Sequence, residues 1–345
     1  MMVAEDTLPV AGGPLARDTP RMKTTIRLVP AILVGVAVLH AVGCGREEVS
    51  SGAASGPLIV YNAGSLARPL RAVLDSFAAG TGAQVAQESA GSLETARKLT
   101  ELHKIPDVIA LADYKVFPQL LVPAHTTWYA AFARNRMVLA HTAHSRFASE
   151  ITADNWWEIL QRSGVETGRS DPNLDPNGYR TLLVFKLAEL HHGRPDLAQR
   201  LLLAAPSRNV RPKEVDLVAL LQAGELDYIW SYESVAQAAS LPFVRLSPEV
   251  DLGSPSDSGL YARAEVRVAG AGQVDSITFR GEPIVYALSI PTEAPHRALA
   301  ERFVAFLLSP DGARILRGAR LDALERPVLA GSGAPAVVDS LSRNR

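Results

Sequence analysis

Leu58-Ile59-Val60-Tyr61-Asn62-Ala63-Gly64-Ser65 is a short apolar run that ends in a turn, and how it is read decides the fold. Four apolar residues bounded by a turn suit a strand buried on both faces, as in a parallel sheet. Leu66, Leu70, Val73, Leu74 and Phe77 then recur at helical spacing, with Ser65 in the N-cap place and Gly80-Thr81-Gly82 as the stop. The pattern repeats at once. Gln84-Val85-Ala86-Gln87 reads as a second strand and Ala90-Gly91-Ser92 as its turn. Leu93, Ala96, Leu99 and Leu102 form the next helix face, and Asp107-Val108-Ile109-Ala110-Leu111 is a third strand. Strand–turn–helix alternation predicts an α/β fold with a parallel sheet. Ligands of such sheets sit outside the carboxyl ends of the strands, where both Gly-Ser turns fall.

Further along, Met137-Val138-Leu139-Ala140 reads as the first strand of a second sheet, so two lobes are expected. Helices are expected near 155–162, 178–190, 195–203 and 213–222, and strands near 226–231, 242–246 and 284–290. Residues 254–259 read as a loop. A last amphipathic helix carries Leu299, Phe303, Phe306 and Leu307, stopped by Ser309-Pro310-Asp311-Gly312. Residues 332–345 are polar and expected to fray.

Upstream of Leu58 the sequence has a different logic. Lys23 and Arg27 precede Leu28–Leu39, a run without charge, and Ala41-Val42-Gly43 follow. Basic residues, a short apolar run and small residues make an export signal; the run is too short for a spanning helix. Residues 1–43 are therefore read as an upstream stretch and a lipoprotein signal peptide, with Met22 as the expected start. Cys44, directly after Ala-Val-Gly, resembles the lipid-bearing cysteine of a bacterial lipobox. It is the sole cysteine, so an intrachain disulfide is impossible. Residues 44–56 read as a flexible Ser/Gly tether that lets the body stand off the membrane.

Apolar residues make up 47% of the 345, and Lys plus Arg number 35 against 36 for Asp plus Glu. That balance suits a globular body and argues against nucleic acid, which normally demands a basic excess. A charged ligand must then be held by local geometry. Gly64-Ser65 and Gly91-Ser92 would each present free N–H groups and a hydroxyl at the positive end of a helix, a cradle for an oxyanion. Glycine lets the backbone come close. Either serine alone reads more simply as an N-cap; two at equivalent places favour an anion site. Asp171–Arg180 is a turn in which Gly178 leads into a helix. Glu214 in a first helical turn reads by itself as a complement to the dipole, and Tyr232 after a strand as packing. The histidines show no metal-ligand spacing and no Gly-x-Ser-x-Gly stands on a strand–helix turn, so neither catalysis nor a cofactor is expected. Trp128, Trp156, Trp157 and Trp230 read as core.

Leu58–Ser65 with Ala90–Ser92, Asp107–Asp113, Phe132–Ala140, Asp175–Arg180 and Gly224–Ala236, in this order, resemble the periplasmic molybdate/tungstate-binding proteins of ABC importers, and among them the tungstate-binding branch. The resemblance runs from about 57 to 331. It implies the type II periplasmic-binding fold, two βα lobes with a hinge and a central cleft: 57–127 plus 297–331 as lobe I and 128–296 as lobe II. By motif position the oxyanion would be held by Gly64, Ser65 and Ser92, by the amides around Pro176 and Asn177, and by Tyr232. Asp175 and Glu214 match two carboxylates that approach the metal of the oxyanion. A carboxylate set beside a dianion without coordination is repelled by roughly 4 kcal/mol per charge pair at 4 Å and an effective dielectric of about 20. Coordination to a hard hexavalent centre reverses that sign, which sulfur cannot offer. The implied partners are an ABC permease and its ATPase, with the membrane reached through the lipid anchor and the binding protein a monomer. Three alternatives remain open at this point: a sulfate or phosphate binder without the acids, a ferric-iron binder using Tyr228 and Tyr232, and a lipid-anchored sensor.

Overall fold

The computed structural model describes residues 56–270 and 275–343; the export signal, Cys44 and nearly all of the tether lie outside the described residues. The alternation that opens the body is there: β1 (Leu58–Ala63), α1 (Ala67–Thr81), β2 (Val85–Ala90), α2 (Ser92–Thr100) and β3 (Val108–Leu111). α1 buries Leu70, Val73, Leu74 and Phe77, one stripe at helical spacing, and Gly82 ends it with φ 71°. α2 buries Leu93, Ala96 and Leu99 but stops at Thr100, so Leu102 is exposed rather than on its apolar face. β1 pairs in parallel with both β2 and β3.

The next strand, β4 (Trp128–Arg134), belongs to the same first sheet, and only two residues later β5 (Met137–His141) opens the second. The second lobe then contributes α3 (Trp156–Ile159), β6 (Thr167–Ser170), α4 (Pro176–His192), α5 (Leu197–Ala204), β7 (Val210–Arg211), α6 (Glu214–Gln222), β8 (Tyr228–Tyr232), α7 (Glu233–Ala238) and β9 (Phe243–Arg245). Its sheet runs β7-β6-β8-β5-β9, parallel among β7, β6 and β8 and antiparallel at β5 and β9. A turn of helix, α8 (Ser258–Tyr261), stands where a loop was expected. A separate antiparallel ribbon, β10 (Glu265–Ala269) with β11 (Ser276–Arg280), packs on α4, with Phe279 stacked on Tyr179 at 4.2 Å.

The chain then returns. β12 (Val285–Ser289) enters the first sheet antiparallel between β3 and β4, and α9 (Arg297–Leu308), α10 (Pro310–Gly318), β13 (Asp322–Gly331) and α11 (Ala336–Arg343) complete that lobe. The lobe boundaries drawn at 128 and 296 are thus displaced: Trp128–Arg134 and Val285–Ser289 both lie in the first sheet. The crossings sit side by side, the Asn135 N–H donating to the Ile284 carbonyl at 3.2 Å. Local pattern could not reveal this, because apolar strands buried on both faces read alike in either sheet.

Two other expectations are corrected. Ser309-Pro310-Asp311-Gly312 starts a helix rather than merely stopping one: Ser309 caps α10 through the Gly312 N–H, with Pro310 in the first turn. The described part of the tail is not frayed: Ala336–Arg343 is helical. α11 sets Val338 in the core with Leu341 packed beside it, a small apolar face at i and i+3.

In the first sheet Val60 of β1, Ile109 of β3 and Leu288 of β12 have no exposure, and their strands are neighbours in register, so the sheet is buried through its centre. Leu288→Ala in that central strand is expected to lower unfolding free energy by about 2–5 kcal/mol in chemical denaturation. Val328→Ala, at 63% exposure on the edge strand, is expected to stay within about 0.5 kcal/mol.

Candidate functional site

Both Gly-Ser turns lie at the carboxyl ends of β1 and β2, as the topology requires, but neither serine is a helix cap. Ser65 sits inside a tight turn, Gly64–Leu66, and α1 begins after Leu66 without a side-chain cap; Ser92 is the first residue of α2 rather than its N-cap. The Ser65 hydroxyl accepts from the Tyr286 phenol at 3.1 Å, and the Ser92 hydroxyl accepts the Ala112 N–H at 3.0 Å. Each serine therefore keeps its own proton free to donate while its oxygen is fixed from behind. Capping, the ordinary explanation for these serines, does not apply.

The two glycines differ. A Cβ on Gly91 would lie 2.2 Å from the Leu174 carbonyl oxygen of the other lobe, whereas a Cβ on Gly64 would make ordinary contact with Val215 at 3.5 Å. Close approach is required at the second turn and not at the first. The Leu174 carbonyl is what fills that second cradle, accepting the Leu93 N–H at 3.1 Å and the Glu94 N–H at 3.3 Å.

Across the cleft, Asp175 caps α4 through the Asn177 N–H at 3.3 Å, and its other oxygen accepts the Glu214 N–H at 2.8 Å. One carboxylate thus joins the N-termini of α4 and α6. Pro176 and Asn177 form the first turn of α4; both are buried, and the Asn177 side chain is turned to Ser170. Glu214 is 1% exposed. Its Oε1 accepts from the Ser231 hydroxyl and the Tyr232 N–H, both at 2.6 Å, while Oε2 is buried with no hydrogen-bond partner. An orphaned carboxylate oxygen in a dry site costs on the order of 1–3 kcal/mol or more unless something else engages it.

Burial pushes the Asp175 carboxyl up to about 6, against the pull of the Glu214 and Asn177 amides. Burial raises Glu214 well above the ordinary carboxyl range, against the Ser231 bond and helped by Asp175. Burial also holds the Tyr232 phenol well above its usual value, so it remains a donor.

Sequence reasoning passed over the residues that tie these groups together. Arg180, one turn into α4, donates to the Tyr232 hydroxyl and to the Ala112 carbonyl, and pairs with Asp113 at 3.2 Å. Tyr286 of β12 supports Ser65 and packs edge-on to Tyr232 with ring centroids 6.0 Å apart. Ser92, Ala112, Arg180, Tyr232, Glu214 and Asp175 thus form one chain of contacts spanning both lobes. Arg97 of α2 adds a clasp, donating to the carbonyls of Asn173, Ala269 and Gly270. Arg180 lay within a quoted motif, but nothing local marked it; Tyr286 and Arg97 carried no signal, because their partners are remote in sequence. A cavity of about 140 Å³ beside Gly64 and Ser65 is walled by Val215 and Ser234 of the facing lobe.

Tyr228 and Tyr232 do not share a site. They stand at opposite ends of β8, four strand residues or about 13 Å apart, and the Tyr228 hydroxyl donates to the Arg146 carbonyl. Trp156, Trp157 and Trp230 are core residues, Trp156 and Trp230 meeting edge-to-face at 5.4 Å.

A family model described as bacterial extracellular solute-binding protein matches residues 58–319. An uncharacterized solute-binding protein of Petrotoga mobilis is 45% identical over 76% of this chain and 82% of its own length. The molybdate/tungstate-binding protein WtpA of Pyrococcus abyssi is 37% identical over 86% of this chain and 93% of its own. Among solved structures, the sulfate-binding protein SubI of Mycobacterium tuberculosis superposes with a TM-score of 0.56 at 16% identity, covering 82% of this chain and 89% of that one. The periplasmic molybdate-binding protein of Azotobacter vinelandii gives 0.53 at 19%, covering 76% and 98%. At such identities the likeness is one of fold alone, that of the periplasmic binding proteins.

Two outcomes follow from this geometry. Gly91→Ala is expected to hold the lobes apart, read as a larger radius of gyration in small-angle scattering, while Gly64→Ala leaves it unchanged. A carboxyl whose folded pKa exceeds its unfolded one stabilises the fold fully below the unfolded value and loses that stability as pH rises through the folded one. For Asp175, a rise from 3.8 to about 6 corresponds to on the order of 3 kcal/mol. The ligand-free protein is expected to melt progressively lower from about pH 4 to pH 7, and Asp175→Asn to flatten that slope. Asp251, also raised to about 6 by burial, and Glu214, raised by burial as well, add slopes of the same sign that persist in the variant.

Proposed function

We propose that this chain, which belongs to the bacterial extracellular solute-binding proteins, captures molybdate or tungstate in the cleft between its lobes. The observation that carries the reading is the partnerless Oε2 of Glu214, buried beside Asp175 among hydroxyl donors. Two acids in a dry cleft suit an electron-poor metal centre and disfavour a dianion that cannot accept their oxygens. Ser65, Ser92, Tyr232 and the Asn177 N–H, which in the ligand-free cleft goes to Asp175, would hold the oxygens of the anion, with Asp175 and Glu214 approaching the metal. Arg180 would set the Tyr232 hydroxyl and offset part of the acid charge. The naming of the Pyrococcus abyssi relative for molybdate and tungstate supports the same ligand.

The finer parts of the proposal concern where the protein works. The basic, apolar and small-residue order of 23–43 supports export, and Cys44 after Ala-Val-Gly supports a lipid anchor. A lipid-held binding protein with a closing cleft is suited to hand its cargo to an ABC permease and ATPase.

Calorimetric titration of the mature protein with tungstate, molybdate, sulfate and phosphate tests the reading. Tungstate and molybdate are expected to bind stoichiometrically, and sulfate and phosphate at least a hundredfold more weakly. Glu214→Gln is expected to lose about a hundredfold in tungstate affinity, or roughly 2.7 kcal/mol. Since the acids must be unprotonated to donate, tungstate affinity should fall as pH drops through about 6, the value to which Asp175 is raised. Heat with sulfate alone, or equal affinity in Glu214→Gln, would overturn the proposal.

A further inference from the structure

A second cavity, about 380 Å³, lies where the chain crosses between the sheets. Arg134 and Arg136 flank the crossing residue Asn135, Arg245 projects from β9, and Arg317 and Arg320 come from the end of α10 and the residues after it. Guanidinium groups of both lobes therefore line one hollow. The acids there do not balance them. Glu233 is already engaged by Arg136 at 3.0 Å and by Arg245, and the buried Asp251 pairs with Arg136 at 3.4 Å, which still leaves the arginines of the hollow in excess. Asp322 stands across the sheet from Arg134 in register, yet the two form no ion pair. Among the described residues Arg134 and Arg320 have no acidic partner, and Arg317 donates only to the Ala323 carbonyl.

Like charges gathered in a hollow repel one another unless a counter-anion lies among them. Guanidinium forks present paired N–H donors that match the oxygen pairs of phosphoryl and carboxylate groups. Arg320 is also held at φ 70°, just past the end of α10, a position that usually falls to glycine.

We propose that this hollow is a second anion site, separate from the cleft, which takes a compact oxyanion of two or more charges and bridges the lobes at the hinge. Its ligand would be larger than a single tetrahedral oxyanion, of the pyrophosphate class, held by Arg134, Arg317 and Arg320 on one side and by Arg136 and Arg245 on the other.

Titration of the mature protein with pyrophosphate at constant ionic strength tests this, with citrate as a second arm to separate phosphoryl from carboxylate recognition. One equivalent of pyrophosphate is expected to bind, both with the cleft empty and after the protein is saturated with tungstate. Arg134→Ala with Arg320→Ala should weaken it at least tenfold without changing tungstate affinity. Arg320→Gly guards against a folding artefact: it relieves the left-handed strain, so the melting temperature should rise while pyrophosphate affinity falls. Absence of pyrophosphate binding at millimolar concentration, or unchanged affinity in Arg320→Gly, overturns the site. Tighter citrate than pyrophosphate binding overturns the phosphoryl assignment.

Discussion

Asp175 and Glu214 are buried side by side between the lobes, and most of the surrounding arrangement answers to that fact. Two carboxyl groups in such a place are unfavourable as charges, so burial raises both and the folded protein favours their protonated forms at mildly acid pH. What keeps them there is a set of donors that the fold brings in from several directions. The Glu214 amide closes on Asp175, the Ser231 hydroxyl and Tyr232 amide close on Glu214, and the Arg180 guanidinium donates to the hydroxyl of that same Tyr232. One carboxylate oxygen is left over, and it is the natural point at which a ligand with an electron-poor centre would enter this network.

The lobes meet through backbone as much as through side chains. The amides at the start of α2 are given to the Leu174 carbonyl, and Arg97 and Arg180 each donate across the cleft to carbonyl oxygens. A carbonyl oxygen in the cradle at α2 is a partial negative charge where an oxyanion oxygen would be welcome. The donors at the start of α2 are thus occupied by a carbonyl oxygen of the other lobe. The hinge side has the opposite character, with arginines from both lobes facing one hollow and too few acids to balance them.

The opening βαβα pattern was legible because buried parallel strands and amphipathic helices leave plain periodicities, and Leu70, Val73, Leu74 and Phe77 lie on the face their spacing foretold. Ser65 and Ser92 were legible as turn positions, but whether either hydroxyl caps a helix could not be told from spacing until its partner was known. Leu102 was placed on a helix that had already ended, and Val338 in a tail that is in fact helical and packed. The sheet to which Trp128–Arg134 belongs was hidden, because an apolar strand does not record which neighbour it pairs with.

The sequence by itself determined the class of the fold, the two turns at the strand ends, and, through motif resemblance, the acids Asp175 and Glu214 as candidates. These are properties of residues close in the chain, where spacing and turn chemistry act directly. Only the tertiary structure decided that both acids are dry, that one oxygen of Glu214 is unpartnered, and that Arg180, Tyr286 and Arg97 complete the cleft. Those facts depend on contacts between segments from tens to more than two hundred residues apart, such as Ser65 with Tyr286, and on burial, which no residue possesses until the lobes have closed around it.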